Sequence, residues 1–428
     1  MKYNKLISLG LAALTMVSVV GCGKKNTASE NASIEYWHVA AENFGGATVR
    51  DLASGFNEKA GYDKVKEKYN ADMYKGLTQN LQAALASGQS PDVVQMGYSY
   101  LNYASENLKY VTPQEIVDKY FPEDKDFLKN HFTEEVLALG QVDGKQIGIP
   151  YSISNPIMYY NADLLKAAGV DKVPETWEEV VAASKKVKDN TQKKGFYMQE
   201  FADNWAQQGL MEGNGASMLG KVDGKVQATF ATKEAAEAYD VLYQMIKDGT
   251  GLHVNNEEGL QAFLSGEVAM CVTTVGKRAN FEKSATFDLK AAKFPVFGDK
   301  ARKAPAGGNF LVILADSEEE QKAAWEFMKY LLDPSSVAKW TEGTGYLPPT
   351  TNAFEGQPEF EKFMTENQIM SVAHSQMDDI VQWASFPGKD GLQAEQVLID
   401  TRDIILSGKK PALEALQEAQ DKINNLIK

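Results

Sequence analysis

The chain has 428 residues, 43% hydrophobic and 24% charged, the size of two or three domains and the balance of an ordinary globular protein. Its 58 acidic against 44 basic residues give a formal net charge of −14, spread along the chain, which argues against nucleic acid or an anionic lipid surface as partner. Two cysteines, Cys22 and Cys271, exclude a disulfide framework and a Cys-rich metal site.

Lys2 and Lys5 precede an apolar or small-residue run, "LISLGLAALTMVSVV", over residues 6–20. At ~1.5 Å per residue such a helix spans roughly 22 Å, short of a ~30 Å hydrocarbon core, so it reads as a secretory signal. Val19-Val20-Gly21-Cys22 supplies small residues for cleavage. This tetrapeptide resembles the bacterial lipobox, in which the Cys thiol is lipidated and becomes the new N-terminus. The resemblance implies a diacylglycerol on Cys22, whose two chains suffice for stable anchoring at about 0.8 kcal/mol per buried CH2. Residues 23–32, "GKKNTASENA", lack apolar bulk and read as a flexible tether. About 406 residues follow the cut, and none of their segments is long and apolar enough to span a bilayer.

"SIEYWHVA" (33–40) predicts a strand, and "GATVRDLASGFNEKAG" a helix with Val49, Leu52, Ala53 and Phe56 inward and Gly61 as stop. "ADMYKG" is read as a second strand, "LTQNLQAALASGQ" as a helix burying Leu77, Leu81, Ala84 and Leu85, and "PDVVQM" (91–96) as a third strand. This β-α-β-α-β rhythm implies a parallel or mixed sheet with helices on its faces. It resumes with strands "GKQIGIPYS" and "NPIMYYN" and helices "ADLLKAAGV" and "ETWEEVVAASKKVK", the latter capped by Thr176 with Glu179 three residues on. "KEAAEAYDVLYQMIKDG" is a helix with Ala235, Ala238, Tyr239, Leu242 and Ile246 aligned. "EVAMCVTTV" and "GGNFLVILA" (307–315) are buried strands, and "SEEEQKAAWEFMKYLLD" is a helix with Ala324, Phe327, Met328 and Leu331 inward. From residue 355 onward the pattern is helical only. Two α/β regions and a helical tail predict two lobes with a cleft between them, faced by the carboxyl ends of strands.

Much catalytic chemistry is missing from the pattern. His38, His131, His253 and His374 show no metal-ligand spacing, and there is no H-E-x-x-H, C-x-x-C, G-x-x-x-x-G-K-[ST] or G-x-S-x-G. "GNGASMLG" (213–220) misses the dinucleotide spacing and reads as loop. No cofactor is implied. A glycosidase pair among the many carboxylates stays open, with nothing pointing to two particular residues.

Five segments in order carry a family resemblance: "ALASGQSPDVVQM", "GIPYSISNPIMYYNADLLKAAGVDKVPETWEEV", "FLSGEVAM", "GGNFLVIL" and "AAWEFMKYLLDPSSVAKWTEGTGYLPPTTNA". Together they resemble the family 1 extracellular solute-binding proteins of ABC importers, over nearly all of the mature chain. The resemblance implies a class II, two-lobed α/β periplasmic-binding-protein-like fold with crossing hinge strands. It implies an N-terminal lobe of 33–150 plus 306–346 and a C-terminal lobe of 151–305 plus 347–428. Hinges fall near Pro150–Ser154 and Ala304–Gly308, and the chain returns to the second lobe after Tyr346. The implied partners are a small solute and a membrane permease; a lipid-anchored monomer on the outer face of the cell membrane is expected, with no enzymatic role.

Within that family "YWH", "YKG", "PYSISNPIMYYN", "AGG", "TGYLP" and "SGKKPALEAL" are similar to the glycerol-3-phosphate-binding branch. By that resemblance Tyr74, Ser154, Gly307 and Tyr346 fall on ligand-contacting positions and Trp205 on an aromatic contact. Tyr98 stands where the branch has a Glu. Gly388 and Lys389 stand where it has a phosphate-binding Arg, and Lys offers a point charge in place of a bidentate fork. That departure favours a neutral sugar or oligosaccharide, with glycerol phosphate as alternative. A surface-anchored glycosidase or esterase is the rival of another class. A sugar site needs a flat aromatic face and several polar groups. Trp205 between polar neighbours, Tyr346 at the lobe crossing, Gly307 and Gly308 with accessible backbone, Thr274 at a strand end, and Glu42 and Asn43 in the loop after the first strand complete the candidate set. Trp383 is placed to reach the cleft. Trp37, Trp177, Trp325, Trp340 and Cys271 read as packing residues.

Overall fold

The computed structural model describes residues 32–62, 64–200 and 203–428. The signal, Cys22 and all but the last residue of the tether lie outside the described residues. Two mixed sheets organise the chain. In the first, the strand order is Val65–Tyr69, Ile34–His38, Val93–Gly97, Gly307–Ile313, Ile149–Ser154. The first three run parallel, and Gly307–Ile313 inserts antiparallel to both its neighbours. In the second, the order is Leu289–Lys293, Pro156–Asn161, Val268–Thr274, Lys194–Met198. This is the two-lobed α/β architecture implied by the sequence pattern.

The helices form where apolar spacing and caps demand them. Gly46–Ala60 buries Val49, Leu52, Ala53 and Phe56 and ends at Gly61 in the left-handed region. Trp177–Thr191 starts at a capping box made by Thr176 and Glu179, and Glu318–Leu331 at one made by Ser317 and Glu320. Each such cap satisfies amide protons that would otherwise be orphaned at the helix start.

Some expectations need correcting. "ADMYKG" is not a strand: Asp72 and Met73 open the helix Met73–Ala86, and the edge strand is the preceding, largely polar "VKEKY". An edge strand shows water one face and one side, so its pattern carries little apolar signal. Leu85 is 37% exposed rather than inward. The tail is not wholly helical, because Ile380–Val381 pairs in parallel with Ala304–Pro305.

The chain passes between the sheets three times within a narrow zone. Ser154 ends a strand of the first sheet and Pro156 begins one of the second. Ala304 to Gly307 leads back to the first. Leu347 then donates its amide to the Ile153 carbonyl at 2.7 Å as the chain leaves again. The tail helices Gly391–Leu406 and Ala412–Leu426 pack with Lys233–Lys247 in the second lobe.

Candidate functional site

A cavity of about 400 Å³ opens between the two sheets. Its walls follow from strand polarity. Tyr100 follows the end of Val93–Gly97, Gln199 the end of Lys194–Met198, and Ser154 and Thr274 are themselves strand ends. Carboxyl ends of strands leave backbone groups and loop side chains free to face a ligand.

Seven of the sequence-derived candidates line this cavity: Tyr74, Ser154, Trp205, Thr274, Gly307, Gly308 and Tyr346. Trp205 is buried and donates its indole N–H to the Pro305 carbonyl at 2.9 Å, which locks the ring. Trp383 stands beside it, ring centroids 6.2 Å apart and tilted by 52°. Tyr346 is held by a stack on Trp340 at 5.8 Å and by Phe44 at 5.6 Å. Tyr74 accepts from Asn309 Nδ2 at 3.1 Å, and burial pushes its hydroxyl up to about 12. Thr274 Oγ1 accepts from the Gly276 amide at 3.1 Å.

Two glycines are needed for steric reasons. A Cβ on Gly307 would lie 2.5 Å from Ser154 Oγ and 2.8 Å from the Trp205 ring. Gly308 has φ +108°, and a Cβ there would lie 2.0 Å from the Ser152 carbonyl oxygen. Asp72 and Met73 also line the cavity, with φ +60° and +53°, two consecutive non-glycine residues in the left-handed region. Such strain persists where the surroundings over-determine it, commonly at ligand sites.

Four candidates lie elsewhere. Tyr98 is buried, stacks on Phe310 at 6.0 Å and donates its hydroxyl to the Ser152 carbonyl at 3.1 Å. Glu42 is exposed and paired with Arg50, whose guanidinium holds its carboxyl below the usual range. Asn43 and Lys389 are exposed and outside the cavity wall.

The wall also contains residues the sequence did not single out, among them Phe44, Lys75, Gln79, Tyr100, Asp203 and Glu395. Asp203 Oδ1 accepts from the Trp205 amide at 3.1 Å, and Glu395 Oε1 accepts from the Asn204 amide at 2.8 Å. Burial pushes Asp203 up to about 6, and burial together with the Asp203 charge pushes Glu395 up to about 7. One sequence signal could have found Glu395. Gly391, Ala394, Glu395, Leu398 and Arg402 fall on one stripe of a helix, so a charge pair interrupts an otherwise apolar face. Arg402 donates Nη1 to the Asp203 carbonyl at 2.9 Å and Nε to Asp403 Oδ1 at 3.1 Å. Lys75 reaches Gln396 Oε1 at 3.2 Å, tying the two lobes together beside the cleft.

Outside the cleft, Glu200, His253 and Asp403 converge with their ligating atoms within 4.8 Å. His253 Nδ1 lies 2.8 Å from Glu200 Oε2, an ion pair that accounts for the first two. Among the described residues no helix is long and apolar enough to cross a membrane.

Two α/β lobes around an aromatic cavity define a ligand-binding protein of the two-lobed periplasmic type. Residues 51–370 match the family described as bacterial extracellular solute-binding protein, and the chain belongs to that family. It is similar to the sn-glycerol-3-phosphate-binding periplasmic protein UgpB of Escherichia coli O1:K1, 25% identical over 99% of this chain and 96% of the relative. Among solved structures, UgpB of Mycobacterium tuberculosis in complex with glycerophosphocholine superposes with a TM-score of 0.80 at 21% identity, covering 92% of this chain and 98% of that one. The cyclic alpha-maltosyl-1,6-maltose binding protein of Arthrobacter globiformis superposes with a TM-score of 0.74 at 21% identity, covering 92% and 99%. Each is named for what it binds.

Proposed function

We propose that this chain is a lipid-anchored, monomeric receptor that captures a carbohydrate, a sugar or oligosaccharide, outside the cell membrane and delivers it to the permease of an ABC importer. The observation that carries the ligand class is the make-up of the cavity wall. Trp205, Trp383 and Tyr346 offer ring faces, and Ser154, Gln79 and Gln199 offer polar groups between them. A sugar presents the complement, an apolar ring face with a fringe of hydroxyls. In this reading Trp205 and Trp383 stack on the ring. Tyr74, Ser154 and Thr274 meet hydroxyls, and Gly307 and Gly308 let the ligand approach backbone.

A phosphate ligand fits less well. Among the described residues, three carboxylates, Asp72, Asp203 and Glu395, share the wall with one cation, Lys75. Lys389, which would stand for the phosphate-binding Arg of the glycerol-3-phosphate branch, is exposed and off the wall. A unit anion about 5 Å from a carboxylate meets roughly 3 kcal/mol of repulsion at an effective dielectric constant of 20.

Capture works through differential affinity: the ligand stabilises the closed form only by contacting both lobes in it. The segments at 150–154 and 304–308 and the crossing after Tyr346 serve as hinges, dividing the chain into lobes of 33–150 plus 306–346 and 151–305 plus 347–428. Cys22 carries the anchor.

A thermal-shift screen against mono- and oligosaccharides tests the reading. Ligand at ~100 times its Kd adds about 2.7 kcal/mol of apparent stability. Stabilisation by saccharides without product formation is expected. Turnover of a glycan would indicate a glycosidase, and stabilisation by glycerol phosphates alone would replace the sugar. Cys22→Ala is expected to release the protein from the membrane fraction or leave its precursor unprocessed; unchanged lipid labelling would refute the anchor.

A further inference from the structure

We propose that the cleft selects a saccharide bearing a cationic nitrogen, an amino sugar or an amine-substituted oligosaccharide, and that Asp203 and Glu395 are the residues that read the charge. The inference rests on the carbohydrate reading and names its chemical subclass.

The argument begins with what the cavity wall holds. Asp203 begins the polypeptide turn that delivers Trp205, and Glu395 approaches from the helix Gly391–Leu406. The two are stitched together through consecutive amides: Asp203 takes the Trp205 N–H and Glu395 takes the Asn204 N–H. Both carboxylates share the cavity wall with the Trp205 and Trp383 ring pair, where a sugar would stack. One oxygen of each is engaged by these amides, which leaves the pair short of compensation for a second charge. One nearby cation acts on both: the Arg402 charge, from off the cavity wall, favours the ionised form of each carboxylate, and it is shared with Asp403, to which Arg402 gives its Nε. Lys75, from the other lobe, is exposed and bonds Gln396. Asp72 adds a third acid, and Tyr100 and Tyr239, packed against the pair, are acids themselves and supply no positive charge.

A second, independent observation lies between the two acids. Asn204 is 2% exposed, and its Nδ2 has no hydrogen-bond partner. Buried donors without partners are rare; Asn204 is off the cavity wall but lies between Asp203 and Trp205, which line it, and its Nδ2 is left for a hydroxyl or ether oxygen that arrives with the ligand. The chemistry is then consistent throughout. Aromatic faces attract an ammonium through their quadrupoles as well as a pyranose through its C–H face. Two carboxylates pair with it, and the lone amide meets an oxygen. A neutral sugar would meet the same rings but bring no positive charge to the two acids.

The test compares matched pairs in calorimetry at pH 7 and low salt: glucosamine with glucose, galactosamine with galactose, mannosamine with mannose, and fully deacetylated chitotriose with cellotriose. At least one amino member is expected to bind ten or more times tighter than its hydroxyl partner, about 1.4 kcal/mol. Glu395→Gln and Asp203→Asn should each bring that ratio towards one, and 0.5 M salt should shrink it in the wild-type protein. Both variants keep the amide acceptor, so a normal unfolding transition separates loss of charge from loss of fold. Hydroxyl members binding as tightly as their amino partners would overturn the charge selection and leave the carbohydrate reading intact. Binding by no member of any pair, with stabilisation by a non-saccharide solute, would overturn both.

Discussion

Replacing Glu395 by Gln should stabilise the ligand-free protein, and only above mildly acidic pH. Burial first and the Asp203 charge second push Glu395 from its ordinary 4.5 up to about 7. At about 1.4 kcal/mol per pKa unit, the ionised side chain weakens folding by up to about 3 kcal/mol. Partial exposure to solvent and the sharing of this repulsion with Asp203 bring the expected effect to about 1–2 kcal/mol. The sign follows from linkage. The folded pKa lies above the unfolded one, so the folded chain holds the proton longer, and stability falls as pH rises from about 4.5 through 7. Gln keeps an acceptor for the Asn204 amide now bonded at 2.8 Å, so the substitution removes the charge and little else. Urea unfolding at pH 4 and pH 8 measures both limits. Wild type and Glu395→Gln should coincide at pH 4, and the variant should be the more stable at pH 8. A constant gap at both values, or a variant weaker at pH 8, would refute the account of the pair as a desolvated, mutually repelling site. A stabilising substitution in a cavity wall marks a position kept for binding at the expense of stability.

Trp383→Ala should weaken saccharide binding by roughly 1–3 kcal/mol in calorimetry and, because the ring is buried, also cost about 3 kcal/mol of stability. Trp205→Ala should lose binding and also about 3 kcal/mol or more of stability, because its ring is a locked core element bonded to Pro305. Gly307→Ala should abolish binding and lower the melting temperature, since its Cβ would meet Ser154 Oγ at 2.5 Å; a fully active variant would contradict the packing. The Glu200 hydrogen bond raises the His253 pKa, so that pair's stabilisation is full below about 6.5 and fades as pH rises through the folded value. Glu200→Gln should therefore cost about 1 kcal/mol at pH 5.5 and progressively less towards pH 9 by denaturant unfolding, and a pH-independent cost would exclude the ion pair as its source.

The legible part of this chain is the part where local rules and tertiary packing agree. Gly46–Ala60, Trp177–Thr191 and Glu318–Leu331 were readable from apolar spacing and caps, because the face each buries and the amides each caps are both written locally. Val65–Tyr69 escaped because its side chains are mostly wet, and Leu289–Lys293 because a strand of Lys and Ala carries no apolar alternation. The cavity wall divides in the same way. Tyr74, Trp205, Gly307 and Tyr346 stand in segments with a family resemblance, so their placement was available before any coordinates. Asp203 and Glu395 become neighbours only when the turn before Trp205 meets a helix nearly two hundred residues later, at the Asn204 amide. No one-dimensional pattern encodes that meeting. What the pattern does contain is its consequence: an acid and an arginine on an apolar helical stripe, at positions 395 and 402, where burying either charge alone would cost several kcal/mol.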